Sequence, residues 1–364
     1  MCIKDIGSEK TENVIGFISN DYLGMSKREE TIQAGIEALK KYGTGVCAAG
    51  IIGGYSDIHK QLEEELADFV GKEDALVFSS GFGANVGILN ALLGKNDIAL
   101  VDSFVHTSVL DGLKGTNIKN IGHNNLEYLE FTLQKVKNLY TTKLVIVDGI
   151  YSQDGDIALL PGIIQVCKRH GALLMVDDAH GIGTFGSGGK GVAEYYNVID
   201  DIDIITGTLS KSFGCVGGFA ASSQKIIQYL RYYAGTAVFS AAPTPQVIAS
   251  SLKALELMKT KPEIREKLWD NVAYLRNRLD QEGFDYGKTV SPIFPIMVRD
   301  DFKVKLTSAL LKERGIYAIG ICYPAVSSKE ARIRASVLST HSFSQLDTLV
   351  DALCDIDRLI KIKK

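Results

Sequence analysis

The chain has 364 residues, 46% of them hydrophobic, which is enough for a sizeable core and for about two domains. Its formal net charge is −3 with both signs interspersed, which excludes the basic stripe typical of proteins that bind nucleic acid. The six cysteines are scattered without C-x-x-C pairs or zinc-ligand spacing, a pattern typical of reduced thiols in a cytoplasmic protein without a metal site. No apolar run approaches the ~18 residues of a membrane span, so we expect no integral membrane segment.

Short apolar runs recur along the chain with amphipathic stretches, such as residues 57–70, between them. Runs of this length fit strands that are buried on both faces. Their alternation with helical patterns favours an α/β fold, with a mostly parallel sheet covered by helices on both faces. We predict six strands, over residues 75–79, 98–102, 144–148, 173–177, 202–206 and 218–221.

The pattern changes after Phe239, where Pro243 and Pro245 lead into a helical stretch that reaches about residue 259. A second helix is predicted to begin near Pro262, because proline suits the first turn of a helix. Short strands and helices alternate beyond it. We therefore predict an N-terminal segment over residues 1–40, a large α/β domain over 41–240 and a smaller α+β domain over 241–364.

The segment 206–214 follows a predicted strand and carries the strongest chemical signal. Lys211 lies there among small residues, and a lysine partly shielded from water can form a Schiff base with an aldehyde cofactor. Thr208 and Ser210 could present hydroxyl groups to a phosphate. A solvated surface lysine is the alternative reading of the same residues.

A second signal is the apolar strand that ends in Asp177, with His180 close behind. A buried carboxylate beside a pyridine nitrogen keeps that nitrogen protonated and makes the ring an electron sink. Asp177 suits that role, and His180 could hydrogen-bond the phenolic oxygen of the cofactor. A helix cap and a buried, satisfied histidine are the alternative.

A third signal lies where a strand meets a predicted helix at Gly81 and Phe82. The exposed N–H groups of a helix start bind anions, so these two residues are candidate phosphate donors. Gly81, Gly83 and Gly87, followed by Asp102, also resemble a loose dinucleotide fingerprint, which would indicate an NAD-dependent oxidoreductase. That alternative leaves Lys211 and Asp177 unexplained.

Beyond these signals, the sequence resembles the α-oxoamine synthases from Asn20 almost to its carboxyl terminus. The resemblance implies a fold-type I transferase that depends on pyridoxal 5′-phosphate (PLP) and forms a homodimer. The matching motifs are 20–24, 54–59 with Leu62 and Glu63, Asp102 with 106–108, 151–156, 176–181, 207–211, 291–293 and 331–334.

The resemblance also implies roles for single residues. Lys211 would carry the cofactor, Asp177 would pair with the pyridine nitrogen, and His106 would stack on the ring. His180 and Ser152 would lie near the phenolic oxygen. The phosphate would be held by Gly81, Phe82, Thr208 and Ser210, and the carboxylate of the amino acid by Asn20 and Arg334.

The activity implied is a decarboxylative condensation of glycine, alanine or serine with an acyl thioester, as in 8-amino-7-oxononanoate synthase or serine palmitoyltransferase. The acyl group would be delivered by coenzyme A or by a carrier protein. Gly50 stands where the family usually has an arginine, which favours a hydrocarbon acyl chain over a charged one. The altered stretch 46–50 also leaves open a non-catalytic binding protein with the PLP fold, although Lys211 and Asp177 argue against it.

Overall fold

The computed structural model describes residues 2–4 and 11–363, so residue 1 and residues 5–10 of the predicted N-terminal segment lie outside the described residues. The chain forms two compact units. The smaller unit comprises Met1–Leu23, Ser152–Asp156 and Glu263–Lys364, and the larger one comprises Gly24–Tyr151 and Ile157–Pro262. Residues 24–40 and 241–262 therefore belong to the larger unit, whereas the predicted domain boundaries fall at residues 40 and 240.

The described strands are β1 (Cys2–Lys4), β2 (Thr11–Asn13), β3 (Ile15–Gly16), β4 (Asp74–Phe78), β5 (Ile98–Val101), β6 (Asn117–Asn120), β7 (Lys143–Asp148), β8 (Leu173–Asp177), β9 (Ile204–Thr208), β10 (Gly218–Ser222), β11 (Ile293–Met297), β12 (Ile316–Tyr317), β13 (Ile319–Ile321) and β14 (Arg332–Ser336). The described α-helices are α1 (Glu29–Tyr42), α2 (Asp57–Val70), α3 (Gly81–Leu92), α4 (Thr107–Gly112), α5 (Leu126–Lys135), α6 (Leu160–His170), α7 (Val192–Tyr195), α8 (Gln224–Tyr233), α9 (Gly235–Val238), α10 (Pro245–Thr260), α11 (Glu263–Glu282), α12 (Asp301–Glu313) and α13 (Phe343–Ile360).

The larger unit is built on a seven-stranded sheet with the order β4-β10-β9-β8-β7-β5-β6. The neighbours from β9 to β6 are parallel, whereas β10 runs antiparallel to both β4 and β9. All six predicted strands are present in this sheet, and the predicted mostly parallel α/β fold is confirmed. The edge strand β6 is additional. Its sequence, NIKN, is largely exposed and carries no apolar run that could have predicted it.

Both faces of this sheet are covered. Successive side chains of a strand point to opposite faces, and the neighbours Val145 and Ile146 on β7 are both fully buried. Helix α3 packs against β4, β9 and β10 and contributes Ile88 and Leu89 to the core. The core therefore holds the carboxyl ends of β5, β7 and β8 in a fixed register.

The smaller unit contains an antiparallel sheet with the order β11-β14-β13, together with α11, α12 and α13. The predicted second helix is observed as α11, and its predicted apolar face is buried at Leu268, Val272, Leu275 and Leu279. Helix α13 begins with a capping box formed by Ser342 and Gln345. Over the part of the chain that the structure describes, no helix is both long enough and apolar enough to cross a membrane.

Candidate active site

Three aspartates end or follow three neighbouring parallel strands of the larger unit. Asp102 follows β5, Asp148 ends β7 and Asp177 ends β8, and all three are buried. Asp148 and Asp177 are register partners. Since the carboxyl ends of parallel strands form the usual ligand-binding edge of an α/β sheet, this edge is the candidate active site.

Asp102 is already engaged within the protein. Its carboxylate accepts hydrogen bonds from the backbone N–H of Phe104 at 2.9 Å and of Asn124 at 2.8 Å, and its Oδ1 lies 3.0 Å from His123 Nδ1. The Asp102 carboxylate therefore stabilises the loops that contain Phe104 and Asn124, and its oxygens are not available to bind a ribose hydroxyl. This geometry removes the ribose contact that the dinucleotide alternative assigned to Asp102.

Asp177 is 7% exposed and is held by two donors. Its Oδ2 accepts a hydrogen bond from Asn85 Nδ2 at 2.6 Å, and its Oδ1 accepts one from the backbone N–H of Ala179 at 3.1 Å. Asn85 in turn accepts a hydrogen bond at Oδ1 from Thr206 Oγ1 at 3.0 Å. These hydrogen bonds fix the orientation of the Asp177 carboxyl group at the end of β8.

His106 caps the amino terminus of α4. Its Nδ1 accepts a hydrogen bond from the backbone N–H of Ser108 at 3.3 Å and lies 2.7 Å from Ser108 Oγ. The backbone N–H of His106 donates to Asp148 at 3.1 Å, so both its main chain and its ring are fixed. Burial lowers the pKa of His106, the negative charge of Asp177 opposes that shift, and the positive charge of Lys211 adds to it. The imidazole is therefore held neutral at neutral pH.

Lys211 follows β9, and the field of its ammonium group reaches two buried carboxyl groups of the larger unit. Burial and the charge of Asp177 raise the pKa of Asp148 well above its usual range, while Lys211 lowers it. Burial raises the pKa of Asp178 to about 7, again with Lys211 acting in the opposite direction. The predicted attachment lysine thus lies in the same electrostatic environment as His106, Asp148 and Asp178.

The predicted phosphate residues come together at the start of α3. A Cβ added to Gly81 would lie 3.0 Å from Thr208 Oγ1, so Gly81 approaches β9 more closely than a larger residue could. Thr208 Oγ1 and Ser210 Oγ are 2.7 Å apart. The ring of Phe82 meets that of His106 edge to face, with their centroids 6.4 Å apart. A helix amino terminus with two hydroxyl groups beside it can bind a dianion.

His180 lies three residues beyond Asp177, in the turn that follows β8, and is 7% exposed. Its backbone carbonyl accepts a hydrogen bond from Thr184 Oγ1 at 2.8 Å. The structure thus places His180 at the same sheet edge as Asp177, within the larger unit.

The remaining predicted residues come together in the smaller unit. Arg334 on β14 donates from Nε to the carbonyl oxygen of Ser152 at 2.7 Å and from a terminal nitrogen to Asn20 Oδ1 at 3.2 Å. Two residues earlier on the same strand, Arg332 forms an ion pair with Asp154 at 2.6 Å. Arg334, which is 7% exposed, pairs with no carboxylate among the described residues. A buried guanidinium without a counterion suits an incoming carboxylate.

The sequence motifs assigned no role in this site to Asn85, Ser108 or Thr206. They are ordinary polar residues in α3, α4 and β9, and only their mutual contacts distinguish them. The position of Asp148 could be predicted, because this residue ends the apolar strand predicted over residues 144–148. Whether the residues of the two units act on one ligand stays a prediction.

Comparison with known proteins identifies the family of this chain. The family model for aminotransferases of class I and II matches residues 12–353, and the chain belongs to that family. Its fold is that of a fold-type I PLP-dependent transferase, as predicted.

Individual relatives narrow the class to the α-oxoamine synthases. The chain is 39% identical to a serine palmitoyltransferase of Sphingobacterium spiritivorum, over 97% of this chain and 88% of that protein. It is 37% identical to an 8-amino-7-oxononanoate synthase of Thermoanaerobacter pseudethanolicus, over 96% of this chain and 89% of that protein. A solved structure of serine palmitoyltransferase with a PLP internal aldimine matches with a TM-score of 0.93 and 33% identity, over 97% of this chain and 89% of that one. The predicted resemblance is confirmed, and neither the oxidoreductase nor the non-catalytic alternative gains support.

Proposed function

We propose that this protein is a PLP-dependent C-acyltransferase that condenses a small amino acid with an acyl thioester, releasing CO2 and the free thiol. The observation that carries the proposal is the arrangement at one sheet edge of a hydrogen-bonded carboxylate, Asp177, and a glycine-lined helix start at Gly81, with the charge of Lys211 acting on the neighbouring groups. The likeness to serine palmitoyltransferases and 8-amino-7-oxononanoate synthases supports the same reaction class.

The residues present fit PLP. The start of α3 at Gly81, with the hydroxyl groups of Thr208 and Ser210, suits a phosphate dianion. Asp177 suits a protonated ring nitrogen, and Lys211 Nζ suits the aldehyde carbon. When bound, PLP supplies an electron sink for charge that develops at the α-carbon of the amino acid.

The side chains of this protein would then share the proton transfers and the orientation. Lys211, once displaced by the amino acid, would remove the α-proton and later return a proton to the same carbon. His106 would stack on the ring, with its imidazole held neutral, and His180 and Ser152 would hydrogen-bond the phenolic oxygen. Each of these roles requires a side chain with a fixed orientation. The hydrogen bonds that fix the main chain and the ring of His106 support its proposed stacking role.

Arg334 and Asn20 would hold the carboxylate of the amino acid. The two side chains already touch, and Arg334 carries no competing carboxylate among the described residues. A guanidinium binds a carboxylate through two parallel hydrogen bonds, which orients the α-C–H bond as well as holding the substrate.

The acyl donor would carry a hydrocarbon chain, on coenzyme A or on a carrier protein. The stretch 43–54 contains no charged residue, and Gly50 stands at the position where the family pattern has arginine. Ile51 and Ile52 in this stretch are exposed. An acyl group that ends in a carboxylate would find no cation in this segment, whereas a hydrocarbon chain would find apolar contacts.

We further propose a homodimer in the cytoplasm. The larger unit exposes large apolar side chains at Val216, Tyr232, Tyr233 and Phe239, which a partner subunit could cover. No disulfide links Cys47, Cys167, Cys322 or Cys354, as expected in a reducing compartment. Analytical ultracentrifugation tests the dimer, and a single monomer boundary at micromolar concentration would contradict it.

The cofactor is tested first, with protein purified in the presence of PLP. The parent should show a visible absorbance band that borohydride abolishes, and Lys211→Ala should lack it. Lys190→Ala, at another lysine of a glycine-rich segment of the larger unit, is the matched control and should keep the band. Absence of the band from the parent would overturn the proposal.

The substrates are tested by a screen of glycine, alanine and serine against acyl thioesters, following free thiol and CO2. Serine with a palmitoyl thioester represents one group of relatives, and alanine with a seven-carbon dicarboxylic thioester represents the other. We expect turnover with the hydrocarbon thioester. Gly50→Arg should shift the preference toward the carboxylated one, and the same preference in both proteins would contradict the role given to Gly50.

A further inference from the structure

The polar network behind Asp177 and His106 is connected without a break. Asn85 Nδ2 donates to Asp177 Oδ2 at 2.6 Å and to Ser108 Oγ at 2.8 Å, which uses both of its hydrogens. Ser108 Oγ lies 2.7 Å from His106 Nδ1. Asn85 and Ser108 are buried, so these bonds do not compete with solvent.

The hydrogen bonds of the His106 ring have a fixed direction because the backbone N–H of Ser108 can only donate. The backbone N–H of Ser108 points to His106 Nδ1 at 3.3 Å, so Nδ1 is an acceptor and the ring proton lies on Nε2. Since Nδ1 accepts, Ser108 Oγ–H must donate to it, and the oxygen of Ser108 is left to accept from Asn85. Thr206 Oγ1 donates to Asn85 Oδ1 at 3.0 Å, so the amide oxygen of Asn85 also has a partner.

We propose that Asn85 and Ser108 are positioning residues, which hold His106 in the Nε2–H tautomer and hold the Asp177 carboxyl group in a fixed orientation. The value of this role for catalysis rests on the proposed function. The two groups that would face the cofactor, a ring that stacks on it and a carboxylate that pairs with its nitrogen, are thereby oriented by one shared amide.

Physical chemistry gives the network a specific consequence. Free histidine in water exchanges between its two neutral tautomers, whereas a ring with an acceptor-only Nδ1 presents a donor at Nε2 throughout. Burial also lowers the pKa of His106, which favours the neutral ring on which a tautomer is defined. Removal of the Ser108 hydroxyl leaves only the longer backbone contact at Nδ1 and weakens this preference.

The test is a long-range ¹H–¹⁵N spectrum of protein labelled with ¹⁵N-histidine, recorded at neutral pH with and without PLP. His106 is assigned by the loss of its signals in His106→Gln. We expect an unprotonated Nδ1 and a protonated Nε2 in the parent, and a mixture of tautomers in Ser108→Ala. Ser103→Ala is the matched control, because its hydroxyl contacts Asn120 on the surface, and it should give the parent spectrum.

A protonated Nδ1 in the parent, or an unchanged His106 signal in Ser108→Ala, would overturn the proposal. Asn85→Ala provides a second variant, which should release both His106 and Asp177 and weaken PLP binding in a spectral titration more than Ser108→Ala does. In turnover, loss of one such hydrogen bond should lower kcat about two- to tenfold, with KM for the amino acid nearly unchanged. The tautomer measurement needs no turnover, so its failure is distinguishable from failure of the proposed reaction.

Discussion

Asp148 and Asp177 lie directly opposite each other on β7 and β8, two carboxyl groups at the ends of adjacent parallel strands. They have different partners. Asp148 receives the backbone N–H of His106, whereas Asp177 receives the side-chain amide of Asn85. Burial and the negative charge of Asp177 raise the pKa of Asp148 well above its usual range, which favours its protonated form.

Replacement of Asp148 by asparagine should change the pH dependence of stability. Because the pKa of Asp148 is raised in the folded protein, the unfolded chain releases this proton at a lower pH, near 4, and the parent loses stability as the pH rises above that value. Asp148→Asn keeps an acceptor for His106 but cannot titrate. We expect the free energy of unfolding in urea to favour the variant increasingly as the pH rises above about 4.

The control for this experiment is Asp270→Asn, at an exposed position of α11. It should run parallel to the parent across the same range. If the free energies of unfolding of the parent and of Asp148→Asn changed equally with pH, the titration of Asp148 would make no contribution to the pH dependence of stability.

Gly181→Ala should destabilise the larger unit by overpacking. The new Cβ would lie 2.1 Å from Asp178 Oδ1, and this carboxyl group is buried and held by the backbone N–H of Val192 at 2.7 Å. We expect a loss of about 1–3 kcal/mol in the free energy of unfolding, measured by urea titration. Gly50→Ala is the matched control, because its Cβ would meet nothing within 4 Å, and an equal loss in both variants would contradict the steric cause.

His341 should make the protein sensitive to acid. Its ring is buried, with Nδ1 accepting from the backbone N–H of Leu338 at 3.2 Å and Nε2 lying 3.1 Å from the carbonyl oxygen of Gly16. Burial lowers the pKa of His341 to about 4. The unfolded chain takes up this proton near pH 6.5, so stability is lost as the pH falls from there to about 4, by about 3 kcal/mol.

His341→Gln removes this titration. The parent should lose more of its free energy of unfolding than the variant between about pH 7 and about pH 4, whatever constant cost the substitution carries at pH 7. Equal losses in the two proteins would assign the acid sensitivity to other groups.

Arg334→Lys should weaken the binding of the amino acid while the fold persists. A lysine keeps the charge but loses the planar pair of donors, so the KM of the amino acid should rise about tenfold or more, with a smaller change in kcat. Steady-state kinetics at a saturating acyl thioester measures both constants. Arg278→Lys, which alters a partly exposed pair with Asp347 in the same unit, should leave both unchanged.

The hydrophobic pattern predicted the central sheet because strands buried on both faces must be apolar throughout. The sequence therefore contains a recognisable run of apolar residues at β5, β7 and β8. The same logic failed at β6, an edge strand whose residues face solvent and need not be apolar. Domain boundaries were harder to predict, because residues 152–156 leave the larger unit in mid-chain and no change of composition marks the departure.

The candidate site divides in the same way. Lys211, Asp177 and Gly81 lie in local sequence motifs, so their roles could be predicted from the residues next to them. Asn85 lies in none of the matching motifs, and Ser108 lies in the motif 106–108, which assigned a role only to His106. Asn85 meets Asp177 across 92 positions of the chain, and no local pattern encodes a hydrogen bond over that distance.

The sequence by itself therefore determined the sheet, the polar residues at its carboxyl ends and the family. These depend on local composition, on burial and on motifs that neighbouring residues complete. Only the tertiary structure decided that Asp148 has a raised pKa, that His106 contacts Ser108 and Asp148, and that Arg334 pairs with no carboxylate among the described residues. Protonation and hydrogen bonding depend on neighbours in space and on exclusion of water, and both are set when distant segments pack together.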